Sequence, residues 1–424
     1  MLSLQPAQAK KRRSGQWSVA APPNWPIDDL TILREVDGEV GRELLLALYN
    51  VRLFADAPAH VRSQLFDVTR SPALEIPGHP EIRDALHILF SLPRKPQAFS
   101  ERELARACRM IAEWAEDHSH FVAAVAFAEV AARLVPDDAE LANRAGRACR
   151  RAGERARAEL WYERGFGLAR RHGDVLQYVK GHLGYGNIFR DHGEYDRALK
   201  WIKRAGISAR KSGHREAGAE AMHDAFTLAY LQEDLSRAAI LIRRAARIYP
   251  VHARRVPYFA ADLALLLTRR GLYGMALELL HVVQGHLTAP VDSLQVWGLV
   301  AFASGGAGEQ NTFDAALHHI LEMADLYREA SAASFAYAAA GAHLLRDLEL
   351  AQSLIAEATT RARGDTLSEE LAARVGRDIR LRNAGVPEAP EQDPTTAVLR
   401  GIFPDVVSRV RRWRGPTWRP ARRR

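Results

Sequence analysis

The amino-acid sequence predicts an all-α chain of about seven stacked helical hairpins, and three observations carry that prediction. Helical periodicity runs almost without a break from about residue 100 to 382, while the strict apolar–polar alternation of strands is scarce. A small residue recurs along this stretch at intervals of 34 to 40 residues. Aromatic, aliphatic and glycine positions keep fixed offsets from it, as expected when one supersecondary unit is used repeatedly.

The first element to justify is the repeat unit. It is clearest at Tyr185-Gly186-Asn187-Ile188-Phe189, followed by Gly193-Glu194-Tyr195-Asp196-Arg197-Ala198-Leu199, Ile202 and Ala205. With Ala198 as anchor, equivalents fall at Ala124, Ala158, Ala238, Ala276, Ala316 and Ala351, with spacings of 34, 40, 40, 38, 40 and 35 residues. Gly146 and Gly153 precede Ala158 as Gly186 and Gly193 precede Ala198. An aromatic or aliphatic residue stands three before most anchors: Phe121, Tyr195, Leu235, Tyr273, Phe313 and Leu348. Pro136 and Pro250 close two units where a second helix must stop. Small residues at such places let helices cross closely, and larger ones fill the gaps between crossings. The pattern resembles the tetratricopeptide repeat in an extended form of about 40 residues, over about two-thirds of the chain. That resemblance implies a right-handed superhelical α-solenoid in which each hairpin touches mainly its neighbours, so that stability is a sum of local and interface contributions.

The flanks follow. Residues 1–28 read as a flexible basic and Pro-rich tail, and 29–98 as an N-terminal helical cap with helices over Leu30–Phe54, Ala59–Thr69 and Pro80–Leu92. A cap is required because an end repeat exposes an apolar face. Ser100-Glu101-Arg102-Glu103 is a capping box that opens the solenoid, 99–382. Within it, the Gly-rich stretch Phe302–Asn311 reads as a lengthened, mobile turn. Residues 383–424 read as a linker, a short amphipathic helix and an Arg- and Trp-rich tail, with helix starts at Asp393-Pro394 and Phe403-Pro404-Asp405.

Composition limits the function classes. Hydrophobic residues make up 47% and charged ones 26% of 424 residues, the profile of a folded, water-soluble chain. No apolar run reaches the eighteen residues or so of a membrane span, and no secretory signal is evident, so a cytoplasmic, bacterial-type protein is expected. Cys108 and Cys149 read as buried thiols of a reducing compartment. The net charge of +8 invites an acidic partner or nucleic acid, although only seven of the 59 cations are lysine, and arginine beside so much alanine also reads as codon bias.

Signatures of catalysis are missing: no phosphate-binding loop, no His-Glu-x2-His, no nucleophile elbow and no Cys-x2-Cys pair. The glycines of Gly181–Gly186 lie inside a helix and serve helix crossing, and His118, His120, His318 and His319 read as surface histidines. Neither an enzyme, a metal nor a cofactor is therefore expected.

A binding surface is better specified. The resemblance implies that the first helices of successive repeats line a concave groove. Its positions carried over here are Arg106, Arg109, Asn143, Arg147, Arg150, Lys180, Asn187, Arg190, His223, Thr227, Tyr230 and Tyr258. Arginine forks onto carboxylates and asparagine satisfies both groups of an extended backbone, which suits a protein partner or an acidic peptide. The family's two-carboxylate clamp for chaperone C-termini is not matched, because Glu113, Gly184, Glu220 and Asp224 occupy some of its places. The reading is a non-enzymatic scaffold or adaptor. The alternative is a ligand-sensing regulator associated with nucleic acid, or resting on an anionic membrane, through Arg409, Arg411, Arg412, Trp413, Arg414, Trp418 and Arg419. Such arrays resemble the sensor halves of bacterial peptide-responsive transcription factors, yet no helix-turn-helix is found.

Overall fold

A computed structural model describes residues 29–36, 38–58, 60–62, 80–287, 289–328, 330–383 and 394–415. Among the described residues the regular structure is nineteen α-helices and no strand. Three helices come first: α1 (Asp29–Glu35), α2 (Gly38–Asp56) and α3 (Arg83–Ser91). Seven hairpins follow: α4 (Glu101–Asp117) with α5 (Phe121–Leu134), α6 (Ala139–Arg151) with α7 (Arg155–His172), α8 (Val175–Asp191) with α9 (Tyr195–Lys211), and α10 (Arg215–Leu231) with α11 (Leu235–Ile248). Next are α12 (Val256–Arg269) with α13 (Tyr273–Gln284), α14 (Pro290–Ala307) with α15 (Gln310–Ala324), and α16 (Ser331–Leu344) with α17 (Leu348–Arg361). Two more close the fold, α18 (Thr366–Asn383) and α19 (Pro394–Arg412).

All seven anchor alanines have no exposed surface, and each sits near the start of a second helix, where it meets the first helix. Each hairpin also turns on one residue with left-handed backbone. These are Ser119, Gly153, Gly193, Glu233, Gly271, Gly308 and Arg346, with φ between +62° and +77°. In six of the seven this residue stands five before the anchor. Glycine meets the requirement without cost, whereas a side chain there crowds its own carbonyl. Arg346→Gly should therefore stabilise the protein by about 0.5–1 kcal/mol despite glycine's freer unfolded chain. Urea denaturation checks it, and a lowered midpoint would contradict the strain.

Several local expectations need correction. The cap's first helix is broken, because Gly38 (φ +68°) turns the chain and Gly41 passes so close to the Val36 carbonyl that a Cβ would lie 2.1 Å from it. Of the expected helix Ala59–Thr69, only residues 60–62 are described, as a turn. The Gly-rich stretch is no lengthened turn. Helix α14 runs through Gly305 and Gly306 to Ala307 before Gly308 turns the chain. A Cβ on Gly305 would stand 2.2 Å from the Gly341 carbonyl oxygen, so these glycines let α14 and α16 touch backbone to backbone. Gly184 and Gly186, inside α8, make the same kind of room for the Tyr162 ring and for Ile202. Pro404 starts no helix of its own but lies within α19.

The cap and the C-terminal helices are tied to the array by particular groups. The Glu35 carboxylate accepts from the Val122 and Ala123 amides at 2.9 and 3.0 Å, capping α5 from outside. Burial nevertheless pushes its pKa up, against the pull of those amides. Helix α18 packs on α16 and α17, and α19 crosses back to α11, α12 and α13.

The superhelix also meets itself. At the turn between α4 and α5, Asp117 pairs with Arg254 at 2.9 Å and the Ser119 hydroxyl accepts from the Val291 amide at 3.2 Å. On the other side, Glu370 of α18 accepts from the Tyr195 hydroxyl, and Arg377 pairs with Glu233 at 2.6 Å. Contact between hairpins far apart in the chain departs from the neighbour-only arrangement expected of a solenoid.

Candidate binding lumen

Because the array curls until its ends approach its middle, the concave face encloses a lumen of about 1960 Å³. The first helices α6, α8, α10, α12, α14 and α16 supply most of the wall, and α18 completes it. The wall has two characters. Helices α6 to α10 contribute most of the charged and amide groups, whereas Leu265, Val296, Leu299, Tyr337 and Leu371 make the far side apolar.

Ten of the twelve positions carried over from the repeat line this lumen: Asn143, Arg147, Arg150, Lys180, Asn187, Arg190, His223, Thr227, Tyr230 and Tyr258. Arg106 and Arg109 do not. Arg106 is exposed, and Arg109 leans towards Glu113 and Glu140 at 3.9 and 3.8 Å, outside the enclosed part. Helix α4 is the first of the array, and only its last turn, with Trp114 and His118, reaches the lumen.

The arginines are not bare. Twelve cations on the wall face nine carboxylates. Arg147 pairs with Glu116 at 3.0 Å, Arg150 with Asp191 at 2.5 Å, Arg190 with Asp191 at 2.7 Å and Lys180 with Glu220 at 3.6 Å. Asp224, with no exposed surface, accepts from Arg255 at 2.9 Å and from the Asn187 amide at 3.3 Å. Burial pushes the Asp224 and Asp191 carboxyls up, but the guanidinium groups outweigh it and leave both below their ordinary values: Arg255 leads at Asp224, Arg190 and Arg150 at Asp191. Burial raises the Tyr162 hydroxyl to about 12. His223, 1% exposed, is held from both ring nitrogens, 3.1 Å from the Tyr249 hydroxyl and 2.7 Å from Asp262. Tyr258 donates to Asp292 at 2.6 Å.

Asn143 is turned away from the space. Its amide nitrogen donates to the Gln177 carbonyl at 2.9 Å, and its oxygen fills the room left by Gly165 and Gly181. This asparagine clips α6 to α8 across α7. Sequence reasoning missed Glu116, Asp191, Asp262 and Arg255 as the partners that orient the wall. One signal for them exists: Arg150–Asp191, Asn187–Asp224 and His223–Asp262 lie 41, 37 and 39 residues apart, one repeat length each.

The basic C-terminal segment is placed differently from the expectation. Arg409 donates to the Tyr249 carbonyl at 2.7 Å, and the Trp413 indole donates to the Ala253 carbonyl at 3.0 Å with its ring 5.2 Å from His286. Both anchor α19 to α11 and α12, and so the Trp413 face is taken up by packing instead of presented for stacking on bases. Arg411 pairs with Glu278 at 3.2 Å, Arg412 and Arg414 donate to carbonyls of their own segment, and Trp418 and Arg419 lie outside the described residues. Among the described residues, no group of three or more His, Cys, Asp or Glu side chains is placed to hold a metal. His318 and His319 each face Glu322. Both cysteines are buried and free, and burial raises their thiols. No described helix is long and apolar enough to cross a membrane.

No protein-family model matches the chain, and no curated protein is similar to it in sequence. Among solved structures it is similar to the Rap conjugation gene regulator of the plasmid pLS20, in complex with the Phr* peptide, at 12% identity and TM-score 0.38 over 82% of this chain and 99% of that one. It is also similar to the TPR domain of P58(IPK), at 11% identity and TM-score 0.20 over 66% of this chain and 99% of that one. The assignment rests on the hairpins themselves: seven buried alanine anchors, seven left-handed turns and an inner wall of first helices. The chain is a tetratricopeptide-like α-solenoid.

Proposed function

We propose that the chain is a non-enzymatic scaffold whose lumen takes a peptide or an extended segment of a partner protein. The lumen itself carries this reading: at about 1960 Å³ it exceeds the roughly 300–1,000 Å³ of small-molecule sites. Its charged side offers donors and acceptors that suit backbone groups and acidic side chains, and its apolar side offers burial for aliphatic ones. Carboxylates on and beside the wall neutralise most of its cations, so an acidic ligand would have to exchange pairs with Glu116, Asp191 and Glu220. Charge therefore selects the ligand more than it supplies affinity.

Co-purification from the native host with mass spectrometry of the bound material identifies the ligand. Ala261 and Ala333 are half-buried and line the lumen from α12 and α16. Ala261→Trp/Ala333→Trp narrows the space and replaces no ion-paired residue, and capture should fall at least tenfold with little change in melting temperature. Undiminished capture by that folded variant removes the lumen as the site.

A further inference from the structure

Arg374, on α18, is a cation of a different kind from those across the lumen. It is 7% exposed, and among the described residues no carboxylate pairs with it and its Nε has no hydrogen-bond partner. Its guanidinium lies over the Tyr230 ring, 5.0 Å from the centroid. The Tyr230 hydroxyl, on a residue 4% exposed, is likewise without a partner. Glu370, one turn earlier on α18, is engaged by Tyr195 and not by Arg374. Both Arg374 and Tyr230 belong to the lumen wall, where Leu371, Tyr337 and Phe226 surround them with apolar surface.

A desolvated cation without an anion is costly, and so is a buried hydroxyl without a partner. The other buried or half-buried arginines named on the wall have their costs offset by Glu or Asp. Here the fold leaves two donors together beside apolar side chains, while the nearby Asp378 carboxylate is taken by Arg269 at 2.6 Å. We propose that Arg374 and Tyr230 form a carboxylate subsite, taking a carboxylate borne on an apolar carrier. A guanidinium accepts a carboxylate through two parallel N–H···O bonds, the hydroxyl donates a third, and the surrounding rings bury the carrier. This inference rests on the lumen being the binding site.

Three peptides probe it by titration calorimetry on the full chain: acetyl-Leu-Leu-Phe with a free carboxylate, its carboxamide, and acetyl-Leu-Glu-Phe carboxamide. The free acid, or the glutamate peptide if the carboxylate comes from a side chain, should bind at least tenfold more tightly than the neutral carboxamide. Arg374→Met should abolish that preference, bringing the acids down to the affinity of the neutral peptide for the same variant, and Tyr230→Phe should reduce it several-fold. The unliganded Arg374→Met protein should melt no lower than the parent, because an uncompensated buried charge has gone. Equal binding of all three peptides, or a preference that survives Arg374→Met, overturns the subsite and leaves the lumen reading standing. Binding of none at millimolar concentration overturns the subsite too, and the tryptophan-blocked capture experiment then decides the lumen reading separately. A drop in melting temperature of more than about 5 °C in Arg374→Met would make Arg374 a structural cation and end the proposal.

Discussion

Asp224→Asn should cost about 3 kcal/mol of stability, because it removes the carboxylate paired with Arg255 at the heart of the wall. Asp224 has no exposed surface and holds two donors, Arg255 at 2.9 Å and Asn187 at 3.3 Å. The substituted amide keeps the shape but turns one acceptor into a donor aimed at donors. The exposed pair of Arg254 with Asp117 supplies the contrast: Asp117→Asn should cost under about 1 kcal/mol, as solvent screens it. A pH dependence follows from the same pair. The folded carboxyl of Asp224 titrates below its ordinary value of about 4, so its contribution is complete above that pH and is lost as pH falls through the folded value. Urea titrations at pH 7 and pH 3 check both statements. The parent should lose stability between them, and Asp224→Asn should lose less. A variant within 0.5 kcal/mol of the parent, roughly the limit of such measurements, would show that the pair is not what holds the wall together.

Gly305→Ala should destabilise by about 3 kcal/mol, the upper range for overpacking, although helix propensity alone favours alanine by about 1 kcal/mol. The opposition of signs makes the result decisive. The added Cβ would lie 2.2 Å from the Gly341 carbonyl oxygen and 2.5 Å from the Gly341 Cα, and the reciprocal position on Gly341 lies 2.2 Å from the Ala301 carbonyl. Neither helix can yield without breaking the crossing. Gly401→Ala, in α19 with nothing within 4 Å, should show propensity alone and gain up to about 1 kcal/mol. Thermal denaturation of the two variants side by side tests the pair. A stabilised Gly305→Ala would mean that α14 and α16 are further apart than described.

The register of the hairpins was legible because the demand for a small residue at each crossing recurs with the unit, and Ala124 to Ala351 display it directly. The lumen positions followed wherever the wall repeats, as at Arg150 and Arg190. What was hidden depends on summing many small rotations. Nothing in a single repeat tells that the turn at Ser119 will arrive at Val291, so Arg106 and Arg109 were placed on a wall that stops short of them. Gly305 and Gly306 were misread because glycine serves equally in a turn and at a close crossing, and only the partner helix distinguishes them. Trp413 beside arginines suggested an open stacking surface, whereas its indole is held by the Ala253 carbonyl and the His286 ring.

The contact of Asp117 and Ser119 with Arg254 and Val291 changes how such a chain should come apart. An open array can fray from either end, one unit at a time, because little is shared between distant units. Here a ring is fastened by groups 137 and 172 residues apart, and the entropy of closing so long a loop is recovered only when all the intervening units are in place. Unfolding should therefore tend towards all-or-none, and folding should be slow for a helical protein of local contacts. Loss of the first two helices of the array would loosen the sixth hairpin, which they adjoin in space and not in sequence.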